Sequence, residues 1–253
     1  TMSAHLALRS GNPALGADTF TRVPPLPRVE SETMTIGGTV NKTAMSLVVL
    51  ATAAMYVWGR AAAGDVPTFL IWGGILGGLV VALVTALKQT WAPITTPLYA
   101  ALEGLALGGI SYFFEQSYPG IVAQAVFLTF GTLAALLMAY RSGLIKATEN
   151  FKLGGFAATG GIGLVYLASF VLGFFGMSIP LIHSSGMFGI LFSLFVVVIA
   201  ALNLVLDFDF IEEGAERGAP KYMEWYGAFG LLVTLVWLYL EILRLLAKLQ
   251  SRD

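Results

Sequence analysis

The chain has 253 residues, of which 57% are hydrophobic and 11% are charged, and its mean hydropathy is +0.80. A soluble domain carries about 25% charged residues, so a water-soluble fold could not hide this much apolar surface. The net charge of −1 gives no indication of nucleic-acid binding, and the lack of cysteine excludes disulfides and thiolate metal sites. An integral membrane protein is therefore predicted.

Seven segments are apolar enough to cross a bilayer, for which a helix needs about 20 mostly apolar residues. They are residues 44–59, 66–87, 94–114, 121–140, 156–175, 186–206 and 226–246. The connections are short and carry turn-forming residues, which favours one helical bundle without a separate soluble domain. The predicted fold is an all-α, polytopic seven-transmembrane bundle at 44–248, preceded by a flexible cytoplasmic N-terminal tail at 1–43.

The distribution of Lys and Arg predicts the orientation, because these residues concentrate in cytoplasmic connections. The tail and the second, fourth and sixth connections hold ten of them, and the opposite side holds only Arg60. The N-terminus is therefore predicted to be cytoplasmic. Arg244, Lys248 and Arg252 conflict with this, because seven crossings put them outside. Two interpretations remain: seven crossings, favoured by the long segment 226–246, or a re-entrant last segment.

Acidic residues within the predicted spans are the main candidates for chemistry. An ionisable group in a bilayer costs at least ~2.5 kcal/mol, so it usually faces the interior of a bundle and has a function. Glu103 lies in the middle of the third segment, too deep to reach an interface. It is either a protonated, hydrogen-bonded structural residue or a carboxylate that responds to protons or cations.

Three other acids lie near the ends of predicted spans. Asp207 and Asp209 end the sixth segment and point about 200° apart on a helix, so only one can face the bundle. A polar cap at the membrane boundary is the alternative. Glu241 precedes Arg244 by three residues, which is typical of an interfacial ion pair.

His183, Ser184 and Ser185 raise the question of a membrane hydrolase. A catalytic triad needs a base oriented against a separate nucleophile, whereas these residues adjoin in one short connection. The chain also has no phosphate-binding loop and no dinucleotide fingerprint. We predict that it is not an enzyme and needs no cofactor.

Three stretches together resemble a known family. Residues 202–207 read Leu-Asn-Leu-Val-Leu-Asp, residues 239–244 read Tyr-Leu-Glu-Ile-Leu-Arg, and residues 99–105 read Tyr-Ala-Ala-Leu-Glu-Gly-Leu. With seven spans and a cytoplasmic tail, they resemble the Bax inhibitor-1 family, also called the transmembrane Bax inhibitor motif family, in its bacterial subgroup. The resemblance implies a multi-pass protein of the bacterial inner membrane.

The resemblance also implies roles for single residues. In the family, aspartates of the sixth and seventh spans share a proton and sense pH, and a basic residue of the second span latches onto the first of them. Asp207 matches the sixth-span aspartate, and Lys88 is similar in place to the latch. Thr234 stands where the seventh-span aspartate would be, and Glu241 lies about 10 Å further along the helix. Glu103 or Asp209 is the alternative source of the second carboxylate.

The function implied by the resemblance is a pH-sensitive leak channel for cations, with calcium as the permeant ion. Asp207, Asp209 and Glu103 are then expected to bind calcium transiently, since calcium prefers oxygen ligands. In either case the protein is expected to be a monomer in the lipid bilayer. The alternative function is a non-conducting interaction protein whose Pro-rich tail modulates a membrane protease or a stress response. A proton-coupled transporter would carry inverted repeats, and the sequence has no convincing internal symmetry.

Overall fold

The computed structural model of the chain describes residues 32–175 and 186–251, and regular structure within these ranges is helical apart from one isolated bridge between Thr33 and Pro220. The helices are α1 (Ile36–Ala62), α2 (Thr68–Leu87), α3 (Ala92–Ser117), α4 (Ile121–Arg141), α5 (Glu149–Phe174), α6 (Met187–Glu216) and α7 (Met223–Gln250). A 3₁₀ turn, Gln89–Trp91, joins α2 to α3. The all-α prediction is confirmed for the described residues.

Six of these helices are long and apolar enough to cross a membrane, and α3 is not among them. The reason is composition, since α3 carries Glu103, Glu115 and several Thr, Ser and Pro residues. Its length is sufficient, because 26 residues rise about 39 Å. The fold is thus a multi-pass helical bundle, as the composition predicted.

The first helix begins at Ile36, ahead of the predicted start at residue 44. Thr35 caps it by accepting a hydrogen bond from the Gly38 amide at 3.0 Å. The Met34 amide donates to the Ala219 carbonyl at 2.6 Å, so the segment before α1 is tied to the α6–α7 connection. Hydropathy alone did not include residues 36–43 in the helix, because Gly37, Gly38 and Lys42 are not apolar. Residues 1–31 of the predicted tail lie outside the described residues.

The last helix, α7, is the centre of the bundle. It packs against α1, α3, α4 and α6 and is the most buried of the candidate spans. At the other extreme, α5 packs on α6 and is the least buried span. Residues on α7 therefore face other helices, and those on α5 mostly face the surroundings of the bundle.

The glycines of α3 allow close packing against α1. A Cβ atom placed on Gly104 would lie 2.8 Å from the Ala53 Cβ, and one on Gly108 would lie 2.9 Å from the Ala54 Cα. Real atoms do not approach so closely, so only glycine fits at this crossing. In contrast, Cβ atoms on Gly160 and Gly161 of α5 would meet nothing within 4 Å. The close packing of α3 therefore requires its glycines, whereas no neighbouring residue in the described part of the chain requires a glycine at positions 160 and 161.

Candidate functional site

Asp207 lies inside α6 and its side chain is fully buried, with no exposed surface. The register of α6 against α7 shows which residues of α7 lie at the same depth in the bundle as Asp207. The Lys248 ammonium near the end of α7 donates to the Ser193 hydroxyl near the start of α6 at 2.8 Å. Further along, a Cβ on Gly227 would lie 3.2 Å from Ile211. Because the helices are antiparallel, these two contacts place Asp207 level with residues 230–234 of α7.

Thr234, at the end of that stretch, is only 2% exposed. It is the residue that the resemblance matched to a second aspartate. The α6–α7 register thus puts the two matched positions at about the same depth in the bundle. One of them carries a carboxylate and the other a hydroxyl.

Asp209 lies near the end of α6, on a more exposed face than Asp207. Its side chain is about a quarter exposed and forms an ion pair with Lys152 of α5 at 2.5 Å. One turn on, Glu212 accepts a hydrogen bond from the Tyr140 hydroxyl of α4. A polar cavity of about 510 Å³ opens here, between Asp209, Glu212 and the α4–α5 connection with Lys146. Asp207 and Asp209 thus face different surroundings, as their angular separation predicts.

Lys88 is not placed on Asp207. The residue is exposed at the end of α2, and its ammonium lies 4.5 Å from the centre of the Trp91 ring. Within residues 32–175 and 186–251, no ion pair joins Lys88 to an acid. The cause is the packing of α2, which lies against α3 rather than α6.

Glu103 faces α2 from the middle of α3. Its carboxylate packs on Gly78, where a Cβ atom would lie 3.0 Å from the Glu103 Oε2. The side chain is partly exposed, and it has no hydrogen bond or ion pair with the described part of the chain. The α2–α3 contact that holds Glu103 is distinct from the α6–α7 contact that holds Asp207. The structure therefore does not bring these two acids together.

Glu241 forms the expected pair with Arg244, and within this pair the carboxylate is buried while the guanidinium is partly exposed. The Glu241 side chain is 2% exposed, and its Oε1 lies 3.0 Å from the Arg244 guanidinium. The Tyr166 hydroxyl of α5 donates to the same oxygen at 2.9 Å and accepts from Arg244 at 2.6 Å. These three residues link the peripheral α5 to the central α7. Tyr166 was missed, although it is the one tyrosine of a segment otherwise rich in Gly, Ala and Leu.

The charge conflict at the end of α7 has a structural explanation. Lys248 is 7% exposed and donates to the Gly189 carbonyl at 3.0 Å as well as to Ser193. Arg244 is neutralised by Glu241. Orientation follows basic residues in connections, whereas these two cations lie on a helix, Lys248 buried in the bundle and Arg244 paired with an acid. Arg252 lies outside the described residues.

Glu224, at the start of α7, is a buried acid that the sequence interpretation missed. Its carboxylate has no exposed surface and accepts from the Thr35 amide at 2.9 Å and from the Thr35 hydroxyl at 2.8 Å. Lys42 and Lys221 form ion pairs with it. Glu224 therefore fastens the start of α1 to the central helix. The sequence did contain a signal for this residue, because it is an acid that lies between basic segments on the predicted cytoplasmic side and can pair with them.

The transient calcium ligands predicted from the sequence are distributed over three surroundings. Asp207 is buried on α6, Asp209 pairs with Lys152, and Glu103 faces α2. Among the described residues, no three His, Cys, Asp or Glu side chains form a group that could hold a metal ion. His183, Ser184 and Ser185 lie outside the described residues.

Fold and buried acids together define the class: a multi-pass helical membrane protein with ionisable groups inside its bundle. The family follows from the comparison with known families. The model of the family described as "Bax inhibitor 1 like" matches residues 9–251, and the chain belongs to this family. No curated protein and no solved structure matches the chain. The resemblance seen in the sequence is thus confirmed at the level of the family.

Proposed function

We propose that this protein is a pH-sensitive leak channel for cations, with calcium as the permeant ion, in the inner membrane of a bacterium. In this proposal all seven helices cross the bilayer, α3 included, with the N-terminus in the cytoplasm. The protein acts as a monomer, and its opening depends on protonation of acids within the membrane. It is not an enzyme and needs no cofactor.

The observation that carries the proposal is the full burial of Asp207 against the central helix. An ionised carboxylate at that depth is costly, and a protonated one is much less so. The two charge states therefore favour different packings of α6 against α7. In the proposed orientation Asp209 and the polar cavity lie toward the cytoplasm, so a change of pH on that side can shift the balance between the packings.

The neutral state of Asp207 is the conducting one in this mechanism. In this proposal the ionised carboxylate favours the closed arrangement, protonation favours the packing in which Asp207 is fully buried, and cations then pass along α6. Asp209 and Glu212 at the polar cavity attract cations to the cytoplasmic mouth. Lys88 takes no part in the described state, so a latch between Lys88 and Asp207 would require α2 to move toward α6.

The test is calcium flux into proteoliposomes between about pH 5 and pH 8. Asp207→Asn imitates the neutral acid, so its flux is expected to stay high throughout and to lose its pH response. Asp65→Asn is the matched control, because Asp65 is exposed in the α1–α2 connection and pairs with Arg60. It should keep the wild-type profile. An Asp207→Asn protein with the wild-type profile would refute the mechanism.

A second candidate, a non-conducting interaction protein, draws support from the attachment of the N-terminal segment. Residues 32–35 contact the α6–α7 connection and Glu224, so a partner bound to residues 1–31 would pull on the central helix. Such a partner would be a membrane protease or a component of a stress response. Removal of residues 2–31 should then abolish the role in cells but leave any flux unchanged.

A further inference from the structure

The half of the bundle opposite the α1 N-terminus contains an apolar groove of about 430 Å³. It runs between α1 and α4, and its floor is formed by α3 and α7. Its walls include Leu47 and Trp58 on α1 and Val126 and Phe130 on α4, and Leu107 on α3 is part of the floor. The volume lies within the range of small-molecule sites, about 300–1,000 Å³.

The dimensions of the groove match one leaflet of a bilayer. From Leu47 to Trp58 the wall on α1 rises about 16 Å, and half of a 30 Å hydrocarbon core is about 15 Å. Leu47 lies near the middle of α1 and Trp58 near its end. The groove therefore follows α1 over a length close to the thickness of one leaflet, and Trp58 sits at the end where aromatic residues commonly mark an interface.

One polar feature interrupts the apolar lining. The hydroxyls of Ser111 on α3 and Tyr239 on α7 lie 2.6 Å apart, and the two residues are 6% and 9% exposed. Two hydroxyls carry two hydrogens, and their mutual bond uses one of them. Within the described residues, neither hydroxyl has another hydrogen bond. One O–H group is thus available to donate to an oxygen that enters the groove.

We propose that the groove binds an acyl chain of a membrane phospholipid from the non-cytoplasmic leaflet. The ester carbonyl of that chain accepts the hydrogen bond that the Ser111–Tyr239 pair can donate. Ser111 lies six residues before the end of α3, about 9 Å along the helix, so the available hydrogen bond is offered in the part of the groove toward that end. The hydrocarbon then fills the groove toward Leu47. This inference is independent of any leak activity.

The first experiment uses vesicles that contain a phosphatidylcholine with a photoreactive diazirine on one acyl chain. We expect crosslinks to concentrate on the groove segments 47–58 and 122–130. Ala51→Trp fills the groove and should lower these crosslinks about fivefold or more. Ala157→Trp, on the exposed face of α5, is the matched control and should leave them unchanged.

The second variant tests the ester contact. Ser111→Ala with Tyr239→Phe leaves the apolar walls intact, so acyl chains should still enter. The lipid retained after purification, measured by native mass spectrometry, should fall severalfold. Equal crosslinking of groove and α5 surfaces, or no effect of Ala51→Trp, would overturn the proposal. So would labelling by a diazirine fatty acid when the phospholipid probe gives none.

Discussion

Glu224 and Glu241 are buried acids whose contacts reach other elements of the bundle. Glu224 fastens α1 to α7, and Glu241 with Arg244 and Tyr166 fastens α5 to α7. Such groups stabilise a fold only while their partners remain, because an isolated buried charge costs several kcal/mol. Loss of one partner should therefore affect the others.

The contact among Glu241, Arg244 and Tyr166 gives a prediction at this scale. Glu241→Gln removes the anion that both partners bind, and we expect a loss of about 1–2 kcal/mol, moderated because Arg244 is 40% exposed. Tyr166→Phe removes its hydroxyl and should cost about 1 kcal/mol. Thermal unfolding in detergent measures both.

The double variant distinguishes a network from two separate contacts. Because the residues share one carboxylate oxygen, the combined loss should be smaller than the sum by at least about 0.5 kcal/mol. Additive losses would show that Tyr166 acts independently of Glu241.

Whole elements were predicted well where apolar runs are continuous and less well where polar residues extend a helix. Segments 66–87 and 121–140 lie within one or two residues of α2 and α4. However, α1 starts eight residues early, and α6 continues ten residues beyond the predicted end at 206. Both extensions are held by tertiary contacts such as Lys152 with Asp209, which hydropathy does not measure.

Side-chain partners were less predictable than helices, for a physical reason. The pair of Glu241 and Arg244 is local, three residues apart on one helix, so the sequence contains it. Tyr166 and Thr35 meet their partners only through the packing of distant segments. The latch from Lys88 was inferred by resemblance, and its position depends on where α2 packs.

The crossing of α3 and α1 gives a prediction at the scale of elements. Gly104→Ile places a branched side chain against Ala53, so the helices must separate, and we expect a loss of about 1–3 kcal/mol. Gly161→Ile is the matched control on α5, where the added atoms meet nothing within 4 Å. Unfolding in mixed detergent should place Gly104→Ile well below Gly161→Ile. Equal stabilities would contradict the packing.

At the scale of the molecule, the central position of α7 connects the separate sites. The helix carries Glu224 at one end, the level of Asp207 in its middle, and Glu241 and Lys248 toward the other end. A shift of α7 relative to α6 would therefore change both ends of the bundle together. This arrangement makes the orientation of α7 decisive for any mechanism, because it determines which end faces the cytoplasm.

The orientation can be tested directly, because the chain has no cysteine and single cysteines can be introduced. Ser142 in the α4–α5 connection and Ser251 after α7 are both exposed. If seven helices cross the membrane, they lie on opposite sides. We expect an impermeant maleimide to label Ser251→Cys in intact cells and Ser142→Cys only after the membrane is opened. Labelling of both from the same side would mean that one of the helices between them, α5, α6 or α7, does not cross, and α7, for which a re-entrant course is the alternative, would be the first to examine.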